Sequence, residues 1–396
     1  MSPSAVEEPV SNGATKGLKT HHGDTSTRTT KGVSNVGFER QFGDFTIPDR
    51  AMARMKKAGI DMSKGYPEYP PANVTLEDVE NLQPGPVDFV DRGSKADKEK
   101  KALFGAAKHV KHLSYHCGTE IIGLQLKDLN ETQLDELALL VAERGVVFFR
   151  DQDLSPQQQR DVTGHFGPIF PQNAHVPGVP EVSVIWAEYF AKGVRKPTFR
   201  TPFQGWHTDL VHLRQTFGIT HLHYDTVPEF GGDLLWSSGA AAYCKLSHAF
   251  RKFLDGKMAV MRSGDPYIDP KDPGAGPKFR EEIHPIVRVH PATGWKVLFV
   301  NRPWVLRIIG LEKAESDMVL KYLADIYENS IDIQCRFNWT PGTSAIWDNR
   351  CTLHNASWDY ENRVQRHGTR VATIAEKPYF DENSVSMREA LGLEDD

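Results

Sequence analysis

A His-x-Asp triplet and one distant histidine are the residues in this sequence whose types and spacing favour metal chemistry. His207 and Asp209 are separated by one residue, and His354 lies far downstream. Two imidazoles and one carboxylate are the ligand set that holds Fe(II) on one face and leaves the opposite face open. Residues two apart on a strand point to the same side, so His207 and Asp209 would face one metal ion together. His354 would then reach that ion from another part of the fold.

Two arginines downstream of His354 predict a place for anions beside this metal. Arg366 and Arg370 are four residues apart near the start of the last predicted strand, so both side chains can face one cavity. Each guanidinium offers a fork of donors suited to a carboxylate or a sulfonate. A second triplet, His22-Gly23-Asp24, is not matched by a further histidine and a pair of arginines, so we predict no metal site there.

Trp206 and Trp347 directly precede the two metal-binding stretches, and two interpretations of them stay open. Tryptophans are more often core residues than substrate contacts. Their position beside the expected ligands makes a contact with the substrate an equal alternative. His221 and His223 alternate on one strand and could bind metal, but an exposed or packed polar face is the favoured interpretation.

The elements that must position these residues form a mainly β pattern. Upstream, Asn130 caps a predicted helix that Gly145 ends, and Ser155 caps a second helix. Beyond Gly167 short strands are separated by Pro and Gly, and helices are expected over 240–254 and 312–327. The predicted strands of this part are 182–186, 216–224, 234–237, 286–289, 297–300, 333–338, 344–347 and 370–374. Many short strands with flanking helices predict a double-stranded β-helix, or jelly roll, whose cavity holds a metal.

Composition divides the chain into four predicted segments. Residues 1–36 are rich in Ser, Thr, Gly and Lys and predict a disordered tail. Residues 37–103 predict an irregular, Pro-rich and charged extension, and residues 104–385 the jelly-roll domain. Residues 386–396 are expected to be a C-terminal tail.

Bulk properties exclude several classes of partner. The 396 residues carry a formal net charge of −5, which gives no basic face for nucleic acid. No apolar run approaches the roughly 20 residues that a membrane span needs. Four cysteines without close spacing predict free thiols in a reducing compartment, and the chain shows no targeting signal, so the cytoplasm is the expected location.

With these residues assembled, the chain resembles the taurine dioxygenase (TauD/TfdA) family of Fe(II)/2-oxoglutarate-dependent dioxygenases. It looks closest to the fungal α-ketoglutarate-dependent sulfonate dioxygenases, and the similarity runs over about residues 118–378. Its markers are Trp206-His207-Thr208-Asp209, Gly231-Gly232-Asp233, His290-Pro291, Phe299-Val300-Asn301-Arg302, Trp347-Asp348-Asn349-Arg350 and the stretch from His354 to Arg370.

The resemblance implies a role for each of the residues singled out above. His207, Asp209 and His354 would bind Fe(II), and 2-oxoglutarate would chelate that iron through its keto-acid end. Arg366 would pair with the distal carboxylate of 2-oxoglutarate, and Arg370 would hold an anionic group of the substrate. O2 would be the oxidant, and succinate and carbon dioxide would be products. Residues expected behind the ligands are Trp347 and Asn349, and those expected at the substrate are Trp206, Phe203, Leu210 and Trp304.

Two departures from the family pattern concern the substrate and the cosubstrate. The residue after Gly-Gly-Asp is commonly a Thr that hydrogen-bonds 2-oxoglutarate, and here it is Leu234, which cannot donate. The Asn that taurine-type enzymes place before Trp-His-Thr-Asp corresponds to Phe203. The family has an aromatic residue shortly after Phe299-Val300-Asn301, and here that residue is again aromatic, Trp304. A more apolar pocket is a poor match for taurine itself, so we expect a different small anion.

Three functional hypotheses follow from these observations. The leading one is oxidation, by hydroxylation, of a small anionic substrate, with a sulfonate or a sulfate ester as first choice. The alternative is hydroxylation, desaturation or cyclisation of an amino-acid-like carboxylate in a biosynthetic pathway. The third is binding of metal or 2-oxoglutarate without turnover, against which the intact ligands and both arginines argue. Members of the family often self-associate, so the resemblance also implies a homo-oligomer.

Overall fold

The computed structural model describes residues 46–69, 89–171, 174–186, 189, 205–264, 273–276, 278–357, 359–360 and 364–393, which all belong to the unit Asn35–Asp396. The expected disordered tail, residues 1–36, lies outside the described residues. The helices are α1 Asp49–Lys57, α2 Lys101–Ala106, α3 Glu131–Arg144, α4 Pro156–Gly164, α5 Gly239–Cys244, α6 His248–Leu254, α7 Lys313–Asn329 and α8 Met387–Ala390.

Strands dominate the rest of the described chain. In chain order they are β1 His109–His112, β2 Thr119–Ile122, β3 Val146–Phe149, β4 His175–Val176, β5 Val179–Trp186, β6 Phe217–Thr226, β7 Leu234–Ser238, β8 Met258–Arg262, β9 Glu281–Pro285, β10 Val287–Val289, β11 Lys296–Leu298, β12 Val305–Ile308, β13 Gln334–Phe337, β14 Thr343–Asp348, β15 Thr352–Ala356 and β16 His367–Ile374.

The larger sheet has eight strands in the order β1-β2-β3-β14-β6-β16-β5-β4. Its neighbours run antiparallel except β2 and β3, which are parallel. Successive side chains of a strand point to opposite faces. On β6 the inward-facing Leu222 and Tyr224 join an aromatic core, whereas His221 and His223 are buried on the outer face under the helices. The favoured interpretation of these two histidines as a packed polar face therefore agrees with the structure.

A smaller sheet, β13-β7-β15, faces the larger one and completes the jelly roll. An isolated bridge between His207 and His354 adds one more extended segment beside β15. Two further sheets, β12-β8-β9 and β10-β11, lie outside this pair. Helices α5 and α7 cover β7, while α3 and α4 pack on the outer face of the larger sheet. The apolar residues between the two main sheets surround the side chains described below.

The segments on either side of the predicted domain contain more regular structure than expected. Within residues 37–103, helix α1 packs on β6 and buries Met55 against Val371. The neighbouring Arg54 donates to the hydroxyl of Thr369 at 2.8 Å. At the other end, α8 inserts Met387 into the largest apolar core, so residues 387–390 are not a tail. Both segments are ordered because their apolar and charged side chains find partners on the barrel.

The helix expected over 240–254 is two helices, α5 and α6. The hydroxyl of Ser247 accepts a hydrogen bond from the amide of Phe250 at 3.4 Å and so caps α6. Ser is a favoured cap because its oxygen satisfies an amide that the first turn leaves unpaired. No helix in the described part of the chain is long and apolar enough to cross a membrane.

Candidate metal centre

Backbone pairing brings the three predicted ligands together. His207 and His354 exchange both backbone hydrogen bonds, at 2.9 and 2.7 Å, so their side chains stand on the same face of the paired segments. Asp209 is two residues beyond His207 and returns to that face. The intervening Thr208 and the preceding Trp206 point the other way, and Trp206 is buried in the core beneath the covering helices.

The ligand atoms converge on one small space. The Nε2 atoms of His207 and His354 lie 3.7 and 3.9 Å from Oδ1 of Asp209, and one ligand atom from each residue lies within 4.8 Å of the others. Nδ1 of His207 is 2.8 Å from the carbonyl oxygen of Gly205, so Nδ1–H donates there and the Nε2 lone pair faces the other ligands. A metal-binding histidine is commonly oriented in this way. His354 is held by ring contact with Trp347, at 5.1 Å between centroids.

Electrostatics favour the forms of these side chains that bind a cation. Burial by itself raises the pKa of Asp209, but Arg370 and the two imidazoles outweigh it and hold that pKa below its ordinary value. Burial, and then the neighbouring His207, lower the pKa of His354 to about 3. The carboxylate is therefore ionised and the His354 imidazole neutral near pH 7. Two imidazoles and one carboxylate facing one another fit Fe(II).

Asn349 supports the ligands from behind through a set of buried hydrogen bonds. Its Oδ1 accepts from Nε1 of Trp347 at 3.2 Å and from the amide of Asp209 at 3.3 Å. Its Nδ2 donates to the carbonyl of Gly218 at 2.9 Å and to the hydroxyl of Thr220 at 2.8 Å. Trp347 and Asn349, both expected behind the ligands, thus contact each other, and Asn349 also contacts the backbone of Asp209. One amide thus joins the segment of Asp209 to strands β6 and β14.

The two predicted arginines lie at different places in the cavity. Nη1 of Arg370 is 3.4 Å from Oδ2 of Asp209, the carboxylate oxygen that faces away from the imidazoles. Arg370 therefore contacts the ligand set itself, which spacing in the sequence did not indicate. The guanidinium carbon of Arg366 lies 4.5 Å above the ring centroid of Tyr224, and this arginine is buried.

Apolar side chains surround the ligands and the arginines. The ring of Trp304 stands edge-on to His207 with centroids 5.5 Å apart, so Trp304 lies beside one of the expected ligands. Leu234 is buried in the core cluster that contains Tyr224. Leu210 has a φ of 44°, a conformation that L-residues adopt rarely, and it packs against Phe217. Phe203 lies outside the described residues.

A second group of metal-ligating side chains, His290, Asp348 and Cys351, is an ion-pair cluster. Arg350 occupies both oxygens of Asp348, at 2.8 and 2.5 Å, and Nε2 of His290 is 2.9 Å from the same carboxylate. Burial, and then Asp348, raise the pKa of the Cys351 thiol, which therefore stays protonated. A guanidinium already neutralises the carboxylate, so this group does not favour a cation.

Two residues that sequence reasoning did not assign also hold the site. Asn301 donates from Nδ2 to the carbonyl oxygen of Thr208 at 3.0 Å and so fixes the segment between His207 and Asp209. The sequence could have indicated this role, because Asn301 is part of the marker Phe299-Val300-Asn301-Arg302. Tyr224 under Arg366 had no local signal, because the contact depends on the register of β6 and β16.

Comparisons with known proteins agree with this architecture. The model of the family described as taurine catabolism dioxygenase TauD, TfdA family matches residues 109–372, a range that contains the three expected ligands and both arginines. The chain is 39% identical over 328 residues to the alpha-ketoglutarate-dependent dioxygenase cnsM of Penicillium expansum, covering 79% of this chain and 90% of that protein. It is 32% identical over 382 residues to the alpha-ketoglutarate-dependent sulfonate dioxygenase of Saccharomyces cerevisiae, covering 89% and 90%.

A solved structure gives the same result at the level of the fold. The crystal structure of a taurine dioxygenase from Burkholderia xenovorans matches with a TM-score of 0.60 and 31% identity, and the match covers 69% of this chain and 91% of that one. The predicted mainly β jelly roll with flanking helices is therefore confirmed.

Proposed function

Because this chain belongs to the taurine catabolism dioxygenase TauD, TfdA family, we propose that it oxidises a small organic anion at the centre formed by His207, Asp209 and His354. Family membership makes the chain an Fe(II)/2-oxoglutarate-dependent dioxygenase, with O2 as the oxidant. The single observation that supports the proposed centre is the convergence of three ligand atoms within 4.8 Å of one another.

Each residue of the proposed site has a distinct task. His207, His354 and Asp209 would hold Fe(II), and Oδ1 is the carboxylate oxygen of Asp209 nearer to both imidazoles. Arg370 contacts the other oxygen of Asp209 and so orients the carboxylate. Arg366 would pair with the distal carboxylate of 2-oxoglutarate, because it is a buried cation on the inner side of the barrel.

Fe(II) with 2-oxoglutarate and O2 supplies the oxidising chemistry, and the cosubstrate leaves as succinate and carbon dioxide. The protein positions the substrate and limits the access of water. Asp209 and His354 are buried, and the Trp304 ring stands beside the more exposed His207. These walls favour reaction at the bound substrate over loss of the oxidant to solvent.

The substrate that we propose is a small anion with an apolar body, a sulfonate or a sulfate ester first. Arg370 offers the cationic fork, and Leu210 and Trp304 offer apolar wall near the ligands. The same apolar walls favour an amino-acid-like carboxylate as the second candidate, which would be hydroxylated, desaturated or cyclised.

The test is succinate formation from 2-oxoglutarate with Fe(II) in air, across alkylsulfonates, sulfate esters, amino acids and aromatic carboxylates. We expect one anionic compound to stimulate succinate formation. If that compound is a sulfonate, sulfite should be released in proportion to succinate, and if it is a sulfate ester, sulfate should be released. A product that has lost two hydrogens would favour the second candidate. Complete absence of Fe(II)-dependent succinate would contradict the proposed centre.

Arg370→Ala tests the division between the two arginines. Removing a charge-assisted hydrogen bond should raise the substrate concentration for half-maximal rate by roughly tenfold or more. Binding of 2-oxoglutarate should change much less, because Arg366 remains. Arg307→Ala, at an exposed position, is the matched control. Equal loss of substrate and 2-oxoglutarate binding would refute this division of roles.

We further propose that the chain self-associates, because members of the family often do. We also propose that it works in the cytoplasm. The four cysteines are free, which suits a reducing compartment. Light scattering of the purified protein tests the first of these proposals.

A further inference from the structure

A buried indole N–H without an acceptor lies close to the proposed 2-oxoglutarate end of the barrel. Nε1 of Trp339 has no hydrogen-bond partner among the described residues, and the side chain is only 3% exposed. Leaving a buried donor unsatisfied costs about 1–3 kcal/mol, so native proteins usually satisfy such groups with protein, water or ligand. This donor is therefore available to a bound molecule.

Trp339 and Arg366 contact the same tyrosine. The Trp339 ring stands at 87° to the ring of Tyr224, with centroids 4.7 Å apart. The guanidinium of Arg366 lies over that ring at 4.5 Å. The indole of Trp339 and the guanidinium of Arg366 thus both border Tyr224, and an N–H donor and a cation are the kinds of group that bind a carboxylate.

Trp339 belongs to the same buried apolar cluster as Leu234, and polar contacts join the neighbours of these two residues. The carboxylate of Asp233, the residue before Leu234, accepts from Nδ2 of Asn338 at 3.0 Å and from Nε of Arg336 at 2.6 Å. Phe337 faces Leu234 directly across the pair β13 and β7. The position of the indole is therefore tied to the strand that carries Leu234.

The register of β7 places Leu234 away from the metal ligands. Trp236 faces His354 across β7 and β15, and Leu234 is one pleat repeat, roughly 7 Å, further along the strand. A molecule that chelates the metal and extends along β7 would bring its far end to Leu234 and Trp339. Leu234 cannot donate a hydrogen bond to that end.

We propose that the indole N–H of Trp339 donates the hydrogen bond to the distal carboxylate of 2-oxoglutarate that Leu234 cannot provide. Arg366 supplies the cation at the same carboxylate, so the inference rests on the function proposed above. Trp339 is in this sense a positioning residue for the cosubstrate, and Leu234 serves as apolar wall.

A second buried indole N–H, that of Trp236, provides the matched control. Its Nε1 also has no partner among the described residues. Trp236, however, is paired with His354 across β7 and β15. Its ring packs on those of Phe148 and Trp347, with centroids 5.2 and 5.9 Å away. Its N–H is thus placed at the level of the metal and not at the distal end.

The experiment is calorimetric titration of the full-length, Mn(II)-loaded protein with 2-oxoglutarate under nitrogen, which needs no turnover. Trp339→Phe keeps a ring and removes the N–H, and we expect the Kd for 2-oxoglutarate to rise about tenfold. Trp236→Phe should leave the Kd within about threefold of the wild-type value. Adding Leu234→Thr to Trp339→Phe should recover most of the loss. An unchanged Kd in Trp339→Phe would overturn the inference, as would a larger loss in Trp236→Phe.

Arg366→Gln separates this inference from the proposed function. If Arg366→Gln leaves the affinity intact, the proposed 2-oxoglutarate site itself is wrong. If Arg366→Gln abolishes binding while Trp339→Phe does not change it, only the inference about Trp339 is wrong. Should Trp339→Phe fail to fold, Leu234→Thr alone decides. If Leu234→Thr raises the affinity for 2-oxoglutarate by less than threefold, the result supports an indole that already supplies the hydrogen bond. A tenfold rise in affinity contradicts the inference.

Discussion

Replacing Asn349 by alanine is expected to destabilise the protein and its metal centre together. The side-chain amide makes five buried hydrogen bonds, between 2.8 and 3.3 Å, to Trp347, Thr208, Asp209, Gly218 and Thr220. Thr208 and Gly218 keep the backbone of Asn349 as a partner, so three buried groups lose theirs. Each such group costs on the order of 1 kcal/mol, so the free energy of unfolding should fall by about 3 kcal/mol. That is a large part of the roughly 5–15 kcal/mol that folds a typical domain.

The same substitution should weaken metal binding because the amide of Asp209 loses its acceptor. Removing groups that orient metal ligands commonly lowers affinity by about 10–100-fold. Urea unfolding of the metal-free protein measures the first effect, and calorimetric titration with Mn(II) measures the second. Asn383→Ala is the control, because Asn383 makes its hydrogen bonds at an exposed turn. An Asn349→Ala protein with wild-type unfolding energy and wild-type Mn(II) affinity would refute the role given to this amide.

Two further predictions concern buried charge. Arg350→Met should lower the unfolding free energy by about 3–5 kcal/mol at pH 7, since it leaves the buried carboxylates of Asp348 and Asp91 without their common cation. Urea unfolding should show a smaller loss at pH 5, where carboxylates regain protons more readily, and an equal loss at both pH values would argue against the ion-pair explanation. Burial lowers the pKa of His284 to about 4 although Nε2 donates to the carbonyl of Leu213 at 2.8 Å. Because the unfolded chain then binds more protons below pH 6.5, the wild type should lose about 1.4 kcal/mol per pH unit between pH 6.5 and 4 relative to His284→Gln, and parallel pH profiles of unfolding would contradict this.

Local periodicity predicted part of the site, and long-range register decided the rest. The spacing of His207 and Asp209 is a local feature of three consecutive residues, although only His207 pairs as extended backbone and Asp209 begins a turn. The pairing of His207 with His354 joins segments far apart in the chain, and no local pattern encodes that register. The contact between Arg370 and Asp209 was missed for the same reason, because it depends on how the two sheets face each other.

The covering elements show the same limit. Ser247 is a residue type that favours the start of a helix, and it caps the second of the two helices within residues 240–254. The apolar content of this segment alone predicted one continuous helix. Helix α1 lies in a segment whose composition indicated an extension. Its Arg54, whose side chain is 10% exposed, pairs with Asp225 on β6 at 3.3 Å. Composition measures the average polarity of a segment, whereas order depends on whether the few apolar and charged residues find partners.

The contact between Arg370 and Asp209 would couple recognition of the proposed substrate to the geometry of the proposed metal centre. Nη1 of Arg370 lies 3.4 Å from Oδ2 of Asp209, whereas Oδ1 of the same carboxylate faces the two imidazoles. An anion bound at Arg370, as proposed above, would compete with Asp209 for this guanidinium. Binding of the substrate would therefore also act on the orientation of the carboxylate that is proposed to hold the metal. Arg370 would thus contribute to substrate affinity and to the position of Asp209 at the same time.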